Sequence, residues 1–201
     1  MKHALAKHVM QRLVGVALLL AAASAVEAQR PIPRAVVDSG TLSFDGHASV
    51  GDFVGTTRTV TGEITGAAEL TEVRGWVETP VKTLKTGNDH RDRDMNKSME
   101  SDQYPAIHFD LEGVTVGAET GDSATINLHG TFKIHGVARA VDLPATVAFL
   151  PQGLRLRSDF PLNLKDYHIG GLTKFLGVLK MYPDIQVHID LWFRSEPAAV
   201  N

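Results

Sequence analysis

Nine histidines and 23 acidic residues are the groups in this 201-residue sequence best suited to chemistry. Imidazole acts as base, acid or metal ligand near neutral pH, so spacing decides which use is open. His3 and His8 precede an apolar run near the start. His47, His108, His129, His135 and His188 fall mostly on the polar side of alternating segments, where a solvated ring is the ordinary outcome. No HExxH pair occurs, and His129 and His135 lack the i, i+4 spacing of a helical metal site. His90, Asp92 and Asp94 sit close together, but Arg91 and Arg93 between them point to an exposed ion-pair segment. There is no cysteine, which removes thiol catalysis, thiolate metal sites and Cys-linked lipid anchors. No G-x-S-x-G turn exposes a serine nucleophile. Tyr167 and His168 would either hydrogen-bond a polar ligand head or pack a corner, and packing is favoured. No metal, no cofactor and no catalytic residue is expected.

Charge narrows the partners. Net charge is −3, with no basic patch of the kind nucleic acid requires. Lys2, Lys7 and Arg12 precede an apolar run over residues 13–25, and Val26-Glu27-Ala28 offers a small-residue cleavage site. Residues 1–28 are therefore expected to be a secretory signal, with one domain over residues 29–201 that is periplasmic or secreted. No later apolar run is long enough for a stable membrane span.

The elements that carry these side chains repeat every second residue, as strands with one buried face do. Leu42, Phe44, Gly46, Ala48 and Val50 alternate with polar residues, as do Val73, Gly75 and Val77, and Ile107, Phe109 and Leu111. The clearest run is Ile126, Leu128, Gly130, Phe132 and Ile134. Val141, Leu143, Ala145, Val147 and Phe149 follow, then Leu154 and Leu156, and a closing run from Ile185 to Phe193. A more polar strand around residues 58–65 brings the total to about eight, a number that can close around one small ligand. Short connections at His135-Gly136 and Pro151-Gln152-Gly153 make neighbouring strands antiparallel. A sandwich would also bury these faces, but a closed barrel removes the exposed edges as well.

Two segments leave the strand period. Residues 85–103 are highly charged and read as a solvated loop containing a short helix, ended by Tyr104-Pro105. In residues 172–181, Leu172, Phe175, Leu176 and Leu179 fall at helical spacing. They predict an amphipathic helix across one end of the barrel, as a plug or as a lid over a ligand mouth.

The expected walls of the lumen are Phe44, Val77, Ile107, Phe109, Phe132, Ile134, Leu143, Val147, Leu156 and Phe160. Inward glycines at 46, 75 and 130 are expected to leave room between them. Each buried methylene contributes roughly 0.8 kcal/mol, so a chain of about twenty carbons would gain on the order of 16 kcal/mol before ordering costs.

Several stretches resemble the YceI-like family. They are Asp38-Ser39-Gly40-Thr41-Leu42-Ser43-Phe44, Val81-Lys82-Thr83-Leu84-Lys85-Thr86-Gly87-Asn88, Gln103-Tyr104-Pro105-Ala106-Ile107-His108-Phe109 and Lys133-Ile134-His135-Gly136-Val137, with the apolar last strand. The tyrosine–proline and isoleucine–histidine–glycine–valine stretches are the most specific. Thr56, Thr57, Thr59 and Thr61 depart from that pattern and read as a longer first loop. The resemblance implies an exported, lipocalin-like eight-stranded barrel that holds a polyisoprenoid, a quinone or another long-chain lipid and carries out no reaction on it. The rival reading is a solid barrel that works through its outer surface, a homodimer being one form, because Trp76 and Trp192 fall on the predicted outer face.

Overall fold

Burial alternates residue by residue along Ser123–Ile134: Ala124, Ile126, Leu128, Gly130, Phe132 and Ile134 are buried and the residues between them are not. An alternating strand of this kind shows one face to a core and the other to water, and its long neighbours repeat the pattern. The computed structural model describes residues 31–170, 173–174 and 179–196. The expected signal over residues 1–28, and Leu172, Phe175 and Leu176 of the expected lid, lie outside them.

The strands in chain order are β1 (Ala35–Ala48), β2 (Gly51–Thr57), β3 (Thr61–Ile64), β4 (Gly75–Pro80), β5 (Ala106–Thr120), β6 (Ser123–Ile134), β7 (Val137–Leu150), β8 (Gly153–Asn163), β9 (Thr173–Lys174), β10 (Leu179–Lys180) and β11 (Asp184–Ser195). All but β9 and β10 belong to one antiparallel sheet, ordered β11-β8-β7-β6-β5-β4-β3-β1-β2. β1 closes it by pairing with β11 from Ala35↔Ser195 to Asp45↔Gln186. The other edge of β1 is shared, with Ala35 and Val36 opposite β3 and Leu42 to Ala48 opposite β2. β2 and β3 thus act as two halves of one broken strand, and the molecule is a closed eight-stranded antiparallel barrel.

The turns follow their chemistry. His135 (φ 51) and Gly136 (φ 75) both take positive φ between β6 and β7, the two-residue geometry whose twist matches a hairpin. The one α-helix among the described residues is α1 (Asp89–Ser98). Asn88 caps it, its side chain accepting from His90 N at 3.0 Å and Arg91 N at 3.1 Å, and Asp89 and Asp92 lie in the positive first turn. No helix among the described residues is long and apolar enough to cross a membrane.

Two expectations need correction. Thr56 and Thr57 belong to β2 rather than to a longer loop, and buried Thr57 shares a 2.8 Å hydroxyl contact with Thr83. Two described stretches of the segment expected to be helical, Thr173–Lys174 and Leu179–Lys180, instead pair Leu179 with Lys174 and Lys180 with Thr173 in an antiparallel ladder. Helical spacing over so short a run does not separate the two states, and β10 is tied to the barrel by the Ser49 N to Lys180 O bond of 2.8 Å.

Candidate ligand cavity at the α1 end of the barrel

The interior holds two cavities that meet at Phe132 and Ile189, which line both. The larger, about 260 Å³, lies at the end covered by α1. The smaller, about 90 Å³, lies at the end covered by Leu70 and Val73. All ten expected wall residues line one or the other. Phe44, Ile107, Ile134 and Phe160 face the larger, Val77, Phe109, Leu143, Val147 and Leu156 face the smaller, and Phe132 stands between them. Rings mark the division: Phe109 and Phe132 have centroids 4.9 Å apart, and Phe132 and Phe160 are at 5.8 Å.

The glycines do not make this space. A Cβ on Gly46 would meet the Phe53 ring at 2.5 Å, and one on Gly130 would meet the Asp110 carbonyl at 2.2 Å and the Phe109 ring at 2.6 Å. Gly75 lets β3 and β4 approach, since its Cβ would lie 2.2 Å from the Glu63 carbonyl. The space beside each glycine is filled by a group of the adjacent strand. At roughly 30 Å³ for a water-sized group, the larger cavity of about 260 Å³ encloses about nine such groups.

Sequence reading missed the wall that α1 supplies. Arg91, Met95, Ser98 and Met99 recur at helical spacing and turn one face of α1 to the cavity, with Asp94 at its edge. Those four positions were the available signal, obscured by the charge around them. Asp92 does not converge with His90 and Asp94. Its carboxylate is buried and accepts from Thr86 N at 2.9 Å and Thr86 Oγ1 at 2.6 Å. Burial pushes its pKa up, but the Thr86 bonds with Lys85 and Arg91 outweigh this and leave it lowered. Thr86 also accepts from Arg91 Nε at 3.1 Å, and the guanidinium lies 4.2 Å from the Phe53 ring centroid. Asp92 thereby fixes the Thr86–Arg91–Phe53 edge of the cavity.

The two most specific sequence stretches meet at this same end. The His135 and Tyr104 rings are 4.9 Å apart, and a Cβ on Gly136 would strike the Tyr104 ring at 2.6 Å. His135 was expected on a solvated face, but its side chain is nine-tenths buried. Its Nδ1 donates to the Tyr167 carbonyl at 3.0 Å, leaving Nε2 with no hydrogen-bond partner and Glu100 Oε1 at 3.8 Å. Tyr167 is buried in the core and desolvation raises its pKa, so it serves as packing and as an acceptor for His135.

Outside the barrel the remaining strand histidines each face carboxylates. His108 bridges Glu78 and Asp110, and His188 bridges Asp159 and Asp45. The Asp159 bond, against a smaller desolvation cost, raises the His188 pKa. Thr115, His129 and Asp142 form a hydroxyl–imidazole–carboxylate chain, with 2.7 Å from Oγ1 to Nε2 and 2.6 Å from Nδ1 to Oδ1. It has the connectivity of a nucleophile with its base, but Asp142 is 71 % exposed and none of the three lines either cavity. A triad carboxylate is buried and works beside preorganised oxyanion donors. Trp76 stacks on His108 at 5.8 Å, and the Arg155 guanidinium covers Trp192 at 4.0 Å, so polar neighbours within the chain partly cover both outer tryptophans.

Comparison with known proteins adds the following. The family model of the YceI-like domain matches residues 35–193. A polyisoprenoid-binding domain from Saccharophagus degradans superposes with a TM-score of 0.67 at 16% identity, over 82% of this chain and 99% of its own. Burkholderia cenocepacia BcnA gives 0.63 at 14% identity, over 76% and 95%. The Campylobacter jejuni YCEI protein gives 0.57 at 16%, over 71% and 85%. No curated protein matches in sequence.

Proposed function

This chain belongs to the YceI-like family, and from that premise we propose that it is an exported, periplasmic or secreted carrier or reservoir that encloses the tail of a long-chain lipid, such as a polyisoprenoid or a quinone, without chemical change. The observation that carries the reading is the cavity of about 260 Å³ between α1 and the strands, walled by Phe44, Ile107, Phe132, Ile134 and Phe160. The polyisoprenoid-binding domain with the same fold supports the class of ligand. Catalysis is left out because the triad-like chain on the outer face lacks a buried carboxylate and a pocket.

Magnitudes set the mode of binding. Nine enclosed groups contribute about 7 kcal/mol gross, close to the 4–15 kcal/mol that association costs. Longer chains gain more only by passing Phe132 and Ile189 into the second cavity or by continuing past α1. The test is native mass spectrometry of protein purified without detergent, followed by denaturing extraction and by addition of ubiquinone or a polyprenol. A discrete added mass that extracts as a long-chain lipid is expected. A bare protein that takes up neither compound would overturn the carrier reading in favour of a solid barrel acting through its surface.

A further inference from the structure

The apolar lining of the α1-end cavity is broken at one edge, where Arg91, Asp94 and Ser98 of α1 and Lys180 of β10 line it. Of these, Arg91 is the one held in place. Its Nε donates to Thr86 Oγ1 and an Nη reaches the Thr86 carbonyl at 3.5 Å, while Phe53 stacks on its face. A guanidinium carries five N–H donors in a rigid fork, so these bonds leave three uncommitted. Arg91 makes no ion pair with a carboxylate among the described residues, because the adjacent Asp92 is turned to Thr86 and Lys85. Asp94 is engaged by His90 at 3.2 Å. Lys180 is exposed, with its ammonium 5.4 Å from the Tyr182 ring centroid. Among the described residues, the charged groups on the lining are therefore two cations and one carboxylate.

We propose that Arg91 is a head-group anchor, and that the α1-end cavity takes a single-chain amphiphile of about ten carbons within the barrel whose head is an anionic oxygen group, carboxylate or phosphate. The inference rests on the lipid-carrier reading and sharpens it. Apolar walls alone scarcely distinguish heads, whereas a fixed guanidinium donates two parallel N–H bonds to the oxygens of a carboxylate or phosphate. Stacking on Phe53 and the Thr86 bonds hold the fork before the ligand arrives, which lowers the ordering cost. Lys180 adds attraction without fixed geometry.

Three ligands of equal tail test this on the delipidated full chain by calorimetric titration at neutral pH: decanoate, decyl phosphate and decanol. At least one anion is expected to bind about tenfold or more tightly than decanol, and the stronger of the two anions identifies the head. Arg91→Gln should bring the anion-to-alcohol ratio within about threefold, and its circular dichroism spectrum and thermal midpoint, compared with those of the unaltered chain, show that the variant folds. Arg91→Lys should keep part of the ratio. Equal binding of all three ligands by the unaltered chain, or a ratio that survives Arg91→Gln, overturns the anchor but leaves the carrier reading standing. If none of the three binds, the anchor fails, while the carrier reading is still decided by uptake of ubiquinone or a polyprenol.

Discussion

The two ends of the barrel interior share strands β5, β6, β8 and β11 and behave differently. Around Val147 and Leu191, each about 1 % exposed, β3 to β8 and β11 each send a branched or aromatic side chain inward, and only about 90 Å³ is left among them. Around Phe160 and Ile134 the strands face α1, whose Met95 lines the cavity together with Met99 just past its end, and about 260 Å³ is left. One end is a core, with close packing and little void. The other is a container. The difference shows that an alternating sequence specifies a barrel but does not by itself specify an empty one. Emptiness depends on whether an element of another kind, here a charged helix, closes the end in place of side chains.

The largest contrast should appear in stability. Leu191→Ala at the packed end is expected to cost about 3–4 kcal/mol in denaturant unfolding, because the site cannot collapse. Leu162→Ala at the α1 end should cost clearly less, about 1–2 kcal/mol, since its side chain already faces space on one side. Similar costs at both ends would mean that the α1 end is as tightly packed as the other.

The boundary is the next point to test. Phe132→Leu should join the two spaces and lengthen the preferred tail by about three carbons, at roughly 30 Å³ each, worth about 2 kcal/mol for the longest chains. A chain-length series read by displacement would show the optimum move, and an unmoved optimum would place the limit elsewhere.

Asp92 separates the ends through α1. Asp92→Asn should cost about 2 kcal/mol, the scale of hydrogen bonds to a buried charge, and should loosen α1 while leaving the packed end protected in hydrogen exchange. Because the folded carboxyl has a lowered pKa, its contribution is present above the unfolded carboxyl range and is lost as pH falls through the folded value. The variant should therefore show less acid sensitivity than the unaltered chain.

The smallest effect belongs to His188, which ties β1, β8 and β11 together on the outer wall of the larger cavity. Its raised pKa makes that contribution full below the unfolded value of about 6.5 and lost as pH rises through the folded one. At 38 % exposure it should stay below about 1 kcal/mol. His188→Asn compared with the unaltered chain at pH 5.5 and pH 9 measures it, and a difference that grows with pH would contradict the sign.

The sequence made the barrel largely legible, because period two in residues such as Ile126, Leu128, Phe132 and Ile134 is a local property and one face must be buried. All ten expected wall residues line the interior for that reason. What stayed hidden was set by long-range register. Nothing near Gly46 or Gly130 announces that Phe53 or Phe109 fills the space beside it. β2 was missed because Gly51–Thr57 carries little apolar alternation and pairs instead through its place beside β1. The α1 wall was hidden by composition, since Arg91, Met95 and Ser98 sit in a segment whose charges otherwise mark water. Leu172, Phe175 and Leu176 lie outside the described residues.

The pairing of β1 with β11 carries a consequence for how the chain reaches this structure. Ala35 meets Ser195, so the seam joins the first and last strands of the barrel, and the loop closed by that contact is nearly the whole domain. The hairpins from β5 to β8 can form as soon as their turns are made, whereas the seam waits for the final strand and bears the largest loop-closure entropy. Until β11 is in place the sheet stays open, with the facing edges of β1 and β8 unpaired. During that interval it is a good client for a chaperone that holds chains unfolded.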